Sequence, residues 1–304
     1  MTTAREKRLV VKHNSLIDAC FNLSLVEQRL MLLAITIGRE AQDLSSDTPI
    51  EIKAATYREQ YEIDQSETYK QLIEASRQIF SRQFTYLDSY SGNSAITVSR
   101  WVNEITYVED KGMVVLYLNR NVIDMVSRLE EQFTRYKLMQ VSRFKSKYSV
   151  RLYELVVKWA KVGKTHQYTV EDLRGKLGID ENEYKSVAYL KRDVLDKAVK
   201  EINQKSDLLI NYEQHKQGRT VTHFHFDLQF KSIEENKEKI IRLTPKQIEM
   251  FSDKLSRSSK FQSHFLADTG ASTEQYKEQI AAKLEDDFYV KEWLPYLQEV
   301  GFKS

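Results

Sequence analysis

Two stretches of the chain run through the same order of elements: helix, short strand, helix, turn, longer helix and two-stranded hairpin. That order describes a helix-turn-helix carrying a β-hairpin, and it predicts an α+β, helix-rich fold. The expected architecture is two tandem winged-helix domains plus a small helical C-terminal extension. A second observation is an echo between the copies. Residues 57–64 (YREQYEID) align with residues 173–180 (LRGKLGID), pairing Arg58 with Arg174, Ile63 with Ile179 and Asp64 with Asp180. Further on, Leu72, Ala75 and Ile79 share the spacing of Leu195, Ala198 and Ile202. The third observation is composition: 41% apolar residues support globular packing, and 3 Pro and 9 Gly leave little room for long flexible segments. The expected boundaries are 1–129 for the first domain, 130–230 for the second, and 231–304 for a linker and helical extension.

The elements follow in order. Ser24 with Glu27 forms a capping-box pattern ahead of LVEQRLMLLAITIGRE, a buried helix. PIEIK is a short strand, residues 55–64 a short helix and turn, and residues 67–84 a longer helix. FTYLDSY and AITVSRWV flank Ser-Gly-Asn, a hairpin signal, and MVVLYL is a further strand. Residues 130–147, without Pro or Gly, are read as a partly helical junction. In the second copy, KYSVRLYELVVKWAK is amphipathic, with Val150, Leu152, Leu155, Val156 and Trp159 inward. HQYTV is a short strand and VEDLRGKLGID a short helix and turn. YLKRDVLDKAVKEIN (189–203) is the longer helix, and residues 208–230 are a hairpin turning at Gln217-Gly218-Arg219. A charged linker over 231–242 leads to Thr244-Pro245, a cap and first-turn proline. Ser272 with Gln275 is a capping-box pattern for a further helix, and FYVKEWLPYL ends the extension.

Charge narrows the function. The net charge is +2. It divides unevenly: 15 basic against 17 acidic residues in 1–129, 19 against 14 in 130–230, and 12 against 13 in 231–304. The middle third is therefore the expected footprint of an anionic partner. The single cysteine, Cys20, excludes an intrachain disulfide framework or a Cys-based zinc site. The start lacks an apolar signal core and the longest apolar run is far short of a membrane span, so a cytoplasmic chain with no membrane partner is expected.

The candidate interface is the 189–203 helix. Val194, Leu195, Ala198, Val199 and Ile202 form its apolar stripe, while Tyr189, Arg192, Asp193, Asp196 and Lys200 fall on the other face. In a helix-turn-helix the second helix enters the DNA major groove and its N-terminal side chains meet base edges. Here these are Lys185, Ser186, Tyr189, Arg192 and Asp193. Arg192 is the candidate for bidentate contact to guanine. Lys191, on the apolar side, is expected to snorkel out to a phosphate. Lys216 and Arg219 at the hairpin tip suit a neighbouring backbone or minor groove. Arg143, Lys145, Lys147 and Arg151 suit phosphates. In the first copy Lys70, Arg77, Arg82 and Arg100 are the counterparts, with weaker contact expected because that half is net acidic. For any one of these residues, a solvated surface charge is the bland alternative.

The run FTRYKLMQVSRFKSKYSVRLYELVVKWAK, followed by LKRDVLDKAVKEIN and KQGRTVTHFHFDLQF, together with the early LVEQRLMLLAI, resembles the iteron-binding plasmid replication initiators over about residues 8–230. The resemblance implies two winged-helix domains. It implies monomers on directly repeated origin sites, with the second domain reading the major groove and the first adding backbone contacts. It also implies homodimers, formed through the first domain, that repress the initiator's own promoter at an operator inverted repeat or pair origins. Bound monomers would open an AT-rich segment and recruit the host replication initiator and replicative helicase. By position the reading helix spans Lys185 to Lys197, and the wing Lys216 to Thr220. Asp193 departs from the pattern, standing after Lys191-Arg192 where basic residues are expected. No cofactor and no catalytic centre are expected.

Rival readings stand beside this one. His223-Phe224-His225 has the His-x-His form of rolling-circle nucleases, with Tyr57, Tyr61, Tyr276 and Tyr289 as candidate nucleophiles. Alternation offers a simpler account, with Phe224, Phe226, Leu228 and Phe230 on one face and His223, His225, Asp227 and Gln229 on a polar one. Gly163-Lys164-Thr165 resembles the end of a phosphate loop, but Lys158 stands where its first glycine belongs. A transcriptional repressor and a helical interaction protein without DNA binding complete the set.

Overall fold

The computed structural model describes residues 4–41, 43–63, 67–127, 132–231, 243–263, 265, 272–285 and 287–302. Asp64 of the internal alignment, residues 130 and 131 of the junction, and nearly all of the predicted linker lie outside these. The chain divides into two compact units, Met1–Lys231 and Ser232–Ser304.

In the first unit, Ser24 and Glu27 close the predicted capping box on the helix Leu25–Gly38, whose interior is almost wholly buried. The helices Ala54–Tyr61 and Thr68–Ser81 follow. A three-stranded antiparallel sheet has Met113–Leu118 at its centre, between Ile50–Lys53 and Val102–Val108. The hairpin Gln83–Tyr90 with Asn93–Arg100 is a separate two-stranded ribbon. The sequence ran AITVSRWV together as one strand. The structure breaks it at Trp101, which is 1% exposed and packs edge-on against Phe21 at 4.9 Å. Burying that indole takes the chain out of the ribbon and into the sheet.

The junction also differs from expectation. Strand Phe133–Lys137 pairs antiparallel with Leu9–His13, so the segment belongs to a two-stranded sheet before the short helix Met139–Ser142. Thr134 and Tyr136 are buried while their neighbours are exposed, the period-two pattern of a half-buried strand. Helix Lys147–Val157 is then buried at every residue after the first.

The second copy contains strand Tyr168–Thr169, helix Val170–Leu177, a continuous helical run over 187–205, and the hairpin Leu208–Gln217 with Thr220–Phe230. The short strand pairs with Thr220–Phe230. The echo between copies is geometric as well as sequential. Glu62 and Gly178 both close their helices at positive φ, 51° and 68°. The following amides make the same bond, Ile63 to the carbonyl of Arg58 at 3.1 Å and Ile179 to that of Arg174 at 3.0 Å. One apolar core runs through both copies, and Leu72, Ala75, Ile79, Leu195, Ala198 and Ile202 are all in it.

The second unit is helical. Capping boxes at Thr244–Gln247 and Ser272–Gln275 start Pro245–Ser256 and Thr273–Leu284, and a separate core gathers Phe251, Leu255, Phe261, Ile280, Trp293 and Leu297.

Gly178 carries two constraints at once. Its φ is +68°, and a Cβ there would lie 2.2 Å from the carbonyl oxygen of Phe21. Gly112 also has positive φ, but a Cβ there meets nothing within 4 Å. In urea unfolding, Gly112→Ala should cost roughly 1–2 kcal/mol, the left-handed penalty alone. Gly178→Ala should cost clearly more. Equal losses would mean that the backbone contact yields freely.

Candidate nucleic-acid interface

Ser186 starts the 187–205 run, its Oγ accepting from the amide of Tyr189 at 3.3 Å. Residues 190–195 are wound as a π-helix, in which the amide of Asp196 donates to the carbonyl of Lys191, five residues back. Such widened turns concentrate at functional sites. On the predicted apolar face Val194, Leu195, Ala198 and Ile202 are buried and Val199 is half-buried; on the other, Tyr189, Arg192, Asp196 and Lys200 are exposed and Asp193 is half-buried, with Lys197 exposed beside them.

The exposed face is organised around a carboxylate. Arg192 binds Asp193 through Nη2 at 2.6 Å and Nε at 3.1 Å, and its guanidinium lies over the Tyr189 ring at 5.0 Å. Lys197 Nζ reaches the other oxygen of Asp193 at 3.1 Å. Hydrogen bonds from Arg192 first and Lys197 second pull the Asp193 carboxyl down to about 2. Water already competes for pairs this exposed, and a phosphate or a base edge would too. Asp193 therefore holds both cations in place and opposes their charge.

The hairpin is tied to this helix. Lys191 leaves the apolar side as expected, but ends on Gln214 Oε1 at 2.9 Å rather than in solvent. Tyr212 donates from its hydroxyl to Asp196 Oδ1 at 2.6 Å. At the tip, Gly218 has φ +62°, the positive value a two-residue hairpin loop needs there, and Lys216 and Arg219 are exposed on either side. Lys185 is exposed as well.

Residues placed further back divide. Arg143 forms a forked pair with Glu62, at 3.1 and 3.2 Å, in a cleft that also holds Arg29, Lys145 and Lys205. Sequence periodicity did not single out Arg29 or Lys205, because each is a lone cation on an otherwise ordinary helix. Lys147 is half-buried, donating to Asn22 Oδ1 at 2.8 Å. Arg151 is a correction. It is 1% exposed, and its donors are spent on Glu154 and on the carbonyls of Ile17, Ala19 and Lys176. A buried guanidinium with these partners cannot reach a phosphate. In the first copy, Lys70 and Arg77 are exposed beside Glu67 and Glu74. Arg82 pairs with the buried capping residue Glu27 at 3.2 Å, and Arg100 donates to the carbonyl of Phe80.

The rival motifs fare differently. Tyr57 is fully buried, and the Tyr61 hydroxyl donates to the carbonyl of Arg29. Tyr276 is buried in the core of the second unit. Residues 163–165 bond along the edge of the hairpin, with Thr165 donating to Phe226, and form no phosphate cradle. His225, on the central strand of its sheet, lies on the polar side that alternation gave it, yet it is 2% exposed.

Asp193→Asn should strengthen binding to every duplex and steepen the slope of log K against log salt by up to about one unit, since it removes a charge opposed to the phosphates. Filter binding at several salt concentrations measures this. If Asp193 instead accepts from a cytosine amino group, the cognate site alone would weaken.

Comparison with known proteins places this geometry. Residues 9–157 match the profile described as initiator replication protein, WH1, and residues 169–228 match initiator Rep protein, WH2. The chain is 25% identical over 256 residues to the PI protein of Escherichia coli, covering 73% of this chain and 83% of that one. It is 22% identical over 253 residues to a replication initiation protein of Escherichia coli, covering 81% and 77%. A crystal structure of the Pi initiator protein in complex with iteron DNA superimposes with a TM-score of 0.62 at 22% identity, covering 75% of this chain and 99% of that one. The two-domain fold is common to both.

Proposed function

Because the chain belongs to the initiator replication protein family, whose two winged-helix domains it contains, we propose that it is a plasmid replication initiator that binds directly repeated sites in duplex origin DNA. The observation that carries this reading is the exposed Tyr189–Arg192–Asp193–Lys197 face, tied side chain to side chain to a hairpin with a basic tip. Arg192, Tyr189, Lys185 and Ser186 read base edges, and Lys216, Arg219, Lys145 and Arg143 engage phosphates. Lys70, Arg77 and Arg100 add backbone contacts from the first domain. No catalytic centre is part of this reading. Origin opening and recruitment of host replication proteins follow from the same bound state.

Footprinting on the DNA flanking the gene tests it, and evenly spaced direct repeats are the expected result. On such a repeat Arg192→Ala should cost roughly 1–3 kcal/mol and relax discrimination at one or two base pairs, while Lys216→Ala should weaken all duplexes alike and lower the salt slope by about one unit. Protection confined to one inverted repeat would leave a repressor instead.

We also propose that homodimers form through the first domain, on its hairpin. Leu87 and Ile96 face each other across the ribbon at 75% and 71% exposure, with Val98 beside them at 57%. Three large apolar side chains on one exposed ribbon face favour a partner surface. Leu87→Asp with Ile96→Asp should give a monomer by sedimentation that still binds direct repeats. Unchanged dimerisation would move the interface elsewhere.

A further inference from the structure

We propose that the hairpin of the second winged helix holds one divalent transition-metal ion between His225, Glu213 and Asp227. The register puts these groups together. Glu213 stands opposite His225 across the ladder, and Asp227 is two residues further along the same strand, so all three lie on one face of the pleat. His225 is 2% exposed. One ring nitrogen, Nδ1, lies 2.6 Å from Nε2 of His215. The other, Nε2, is buried without a hydrogen-bond partner and faces Asp227 Oδ2 at 3.5 Å and Glu213 Oε2 at 3.7 Å.

In one of the two tautomers that the His215–His225 contact permits, that arrangement is a set of donors for a cation. When Nδ1–H donates to His215, Nε2 presents a lone pair toward two carboxylates. A metal resolves this directly. Tetrahedral ligation with bonds of about 2.0–2.2 Å sets ligand atoms roughly 3.3–3.6 Å apart. The two imidazole–carboxylate separations nearly match, and all three ligand atoms lie within 4.8 Å of one another. His215 occupies the position of the outer partner that fixes tautomer and ring orientation in such sites. One imidazole with two carboxylates suits zinc, cobalt or manganese better than magnesium or calcium. Lys164 is the competing cation, with Nζ 3.6 Å from the other oxygen of Asp227, and at 55% exposure it can swing aside.

This differs from a His-x-His pair acting together. His223 is turned to Thr222 Oγ1, and the second and third ligands are carboxylates. The ion would pin the two strands midway along the hairpin whose tip bears Lys216 and Arg219. The site stands whether or not the chain reads origin DNA.

The test is titration of untagged, chelator-treated full-length protein with Co2+, followed by visible absorption, and with Zn2+, followed by calorimetry. One ion per chain is expected, with loss of the cobalt band in His225→Gln. Glu213→Gln and Asp227→Asn alter half-exposed or exposed groups and keep the test valid should His225→Gln fail to fold; each should weaken binding at least tenfold. His215→Gln should weaken it by roughly 10–100-fold. Absence of stoichiometric binding overturns the proposal, as does binding unchanged in Glu213→Gln and Asp227→Asn. A His225 that only takes up a proton, seen as an NMR titration with no cobalt band, overturns it equally.

Discussion

The arrangement of the two winged helices turns on one buried ion network. Arg151 donates to Glu154 at 2.9 Å, to the carbonyls of Ile17 and Ala19 at 2.9 and 3.0 Å, and to that of Lys176 at 3.0 Å, with its guanidinium 4.0 Å over the Phe21 ring. The other oxygen of Glu154 accepts from Lys12 and from the Tyr136 hydroxyl, both at 2.6 Å. Burial works against an ionised Glu154, but Lys12 and Arg151 together outweigh it and hold the carboxyl below its ordinary range. Burial likewise pushes the Lys12 ammonium down, against the pull of Glu154. Such a network is expensive to bury and far more expensive to break, because each lost partner strands a charge. Its members come from the strand Leu9–His13, the junction strand Phe133–Lys137 and, in the second copy, the helix Lys147–Val157 and the carbonyl of Lys176. It therefore specifies how these pieces meet more than it adds net stability.

That constraint reaches the second copy through short contacts. Gly178 lets the end of its helix lie against the backbone of Phe21. Asn22 bridges the copies, donating to Asp180 at 3.0 Å and accepting from Lys147 at 2.8 Å. Lys158 holds Asp18 at 2.6 Å. With one core through both copies, the separation between the first and second helix-turn-helix units is fixed when the chain folds.

Much of this was legible where the information is local. The capping boxes at Ser24, Thr244 and Ser272, the glycine turn at 218 and the stripe of the 189–203 helix depend on residues within a few positions of one another. The pairing of Leu9–His13 with Phe133–Lys137 was not legible, since the partners lie more than a hundred residues apart and neither run is long. Arg151 misled for a related reason. At the start of a basic helix it has the sequence signature of a phosphate contact, and only the carbonyls of Ile17 and Ala19, folded back over it, make it structural. His225 misled in the opposite direction. Alternation put it on the polar face correctly, but His215, Glu213 and Asp227 gather around its ring there. The ion pairs of Asp193 were half visible: spacing showed Lys197 one turn away, but not that Arg192 folds back on its neighbour.

The ties between helix and hairpin join the exposed face of the 187–205 run to the ribbon beside it. Lys191 and Asp196, on the helix, are each bound to a hairpin side chain. The two elements present their groups as one unit, and little backbone freedom is left to lose on binding. The remaining cost is in the long side chains. Asp193 and the Tyr189 ring already hold Arg192 in place, and Asp193 also holds Lys197. Under the DNA-reading role proposed for this face, desolvating that carboxylate opposes indiscriminate attachment to phosphate and trades some affinity for any duplex against selectivity for the sequence that satisfies Arg192.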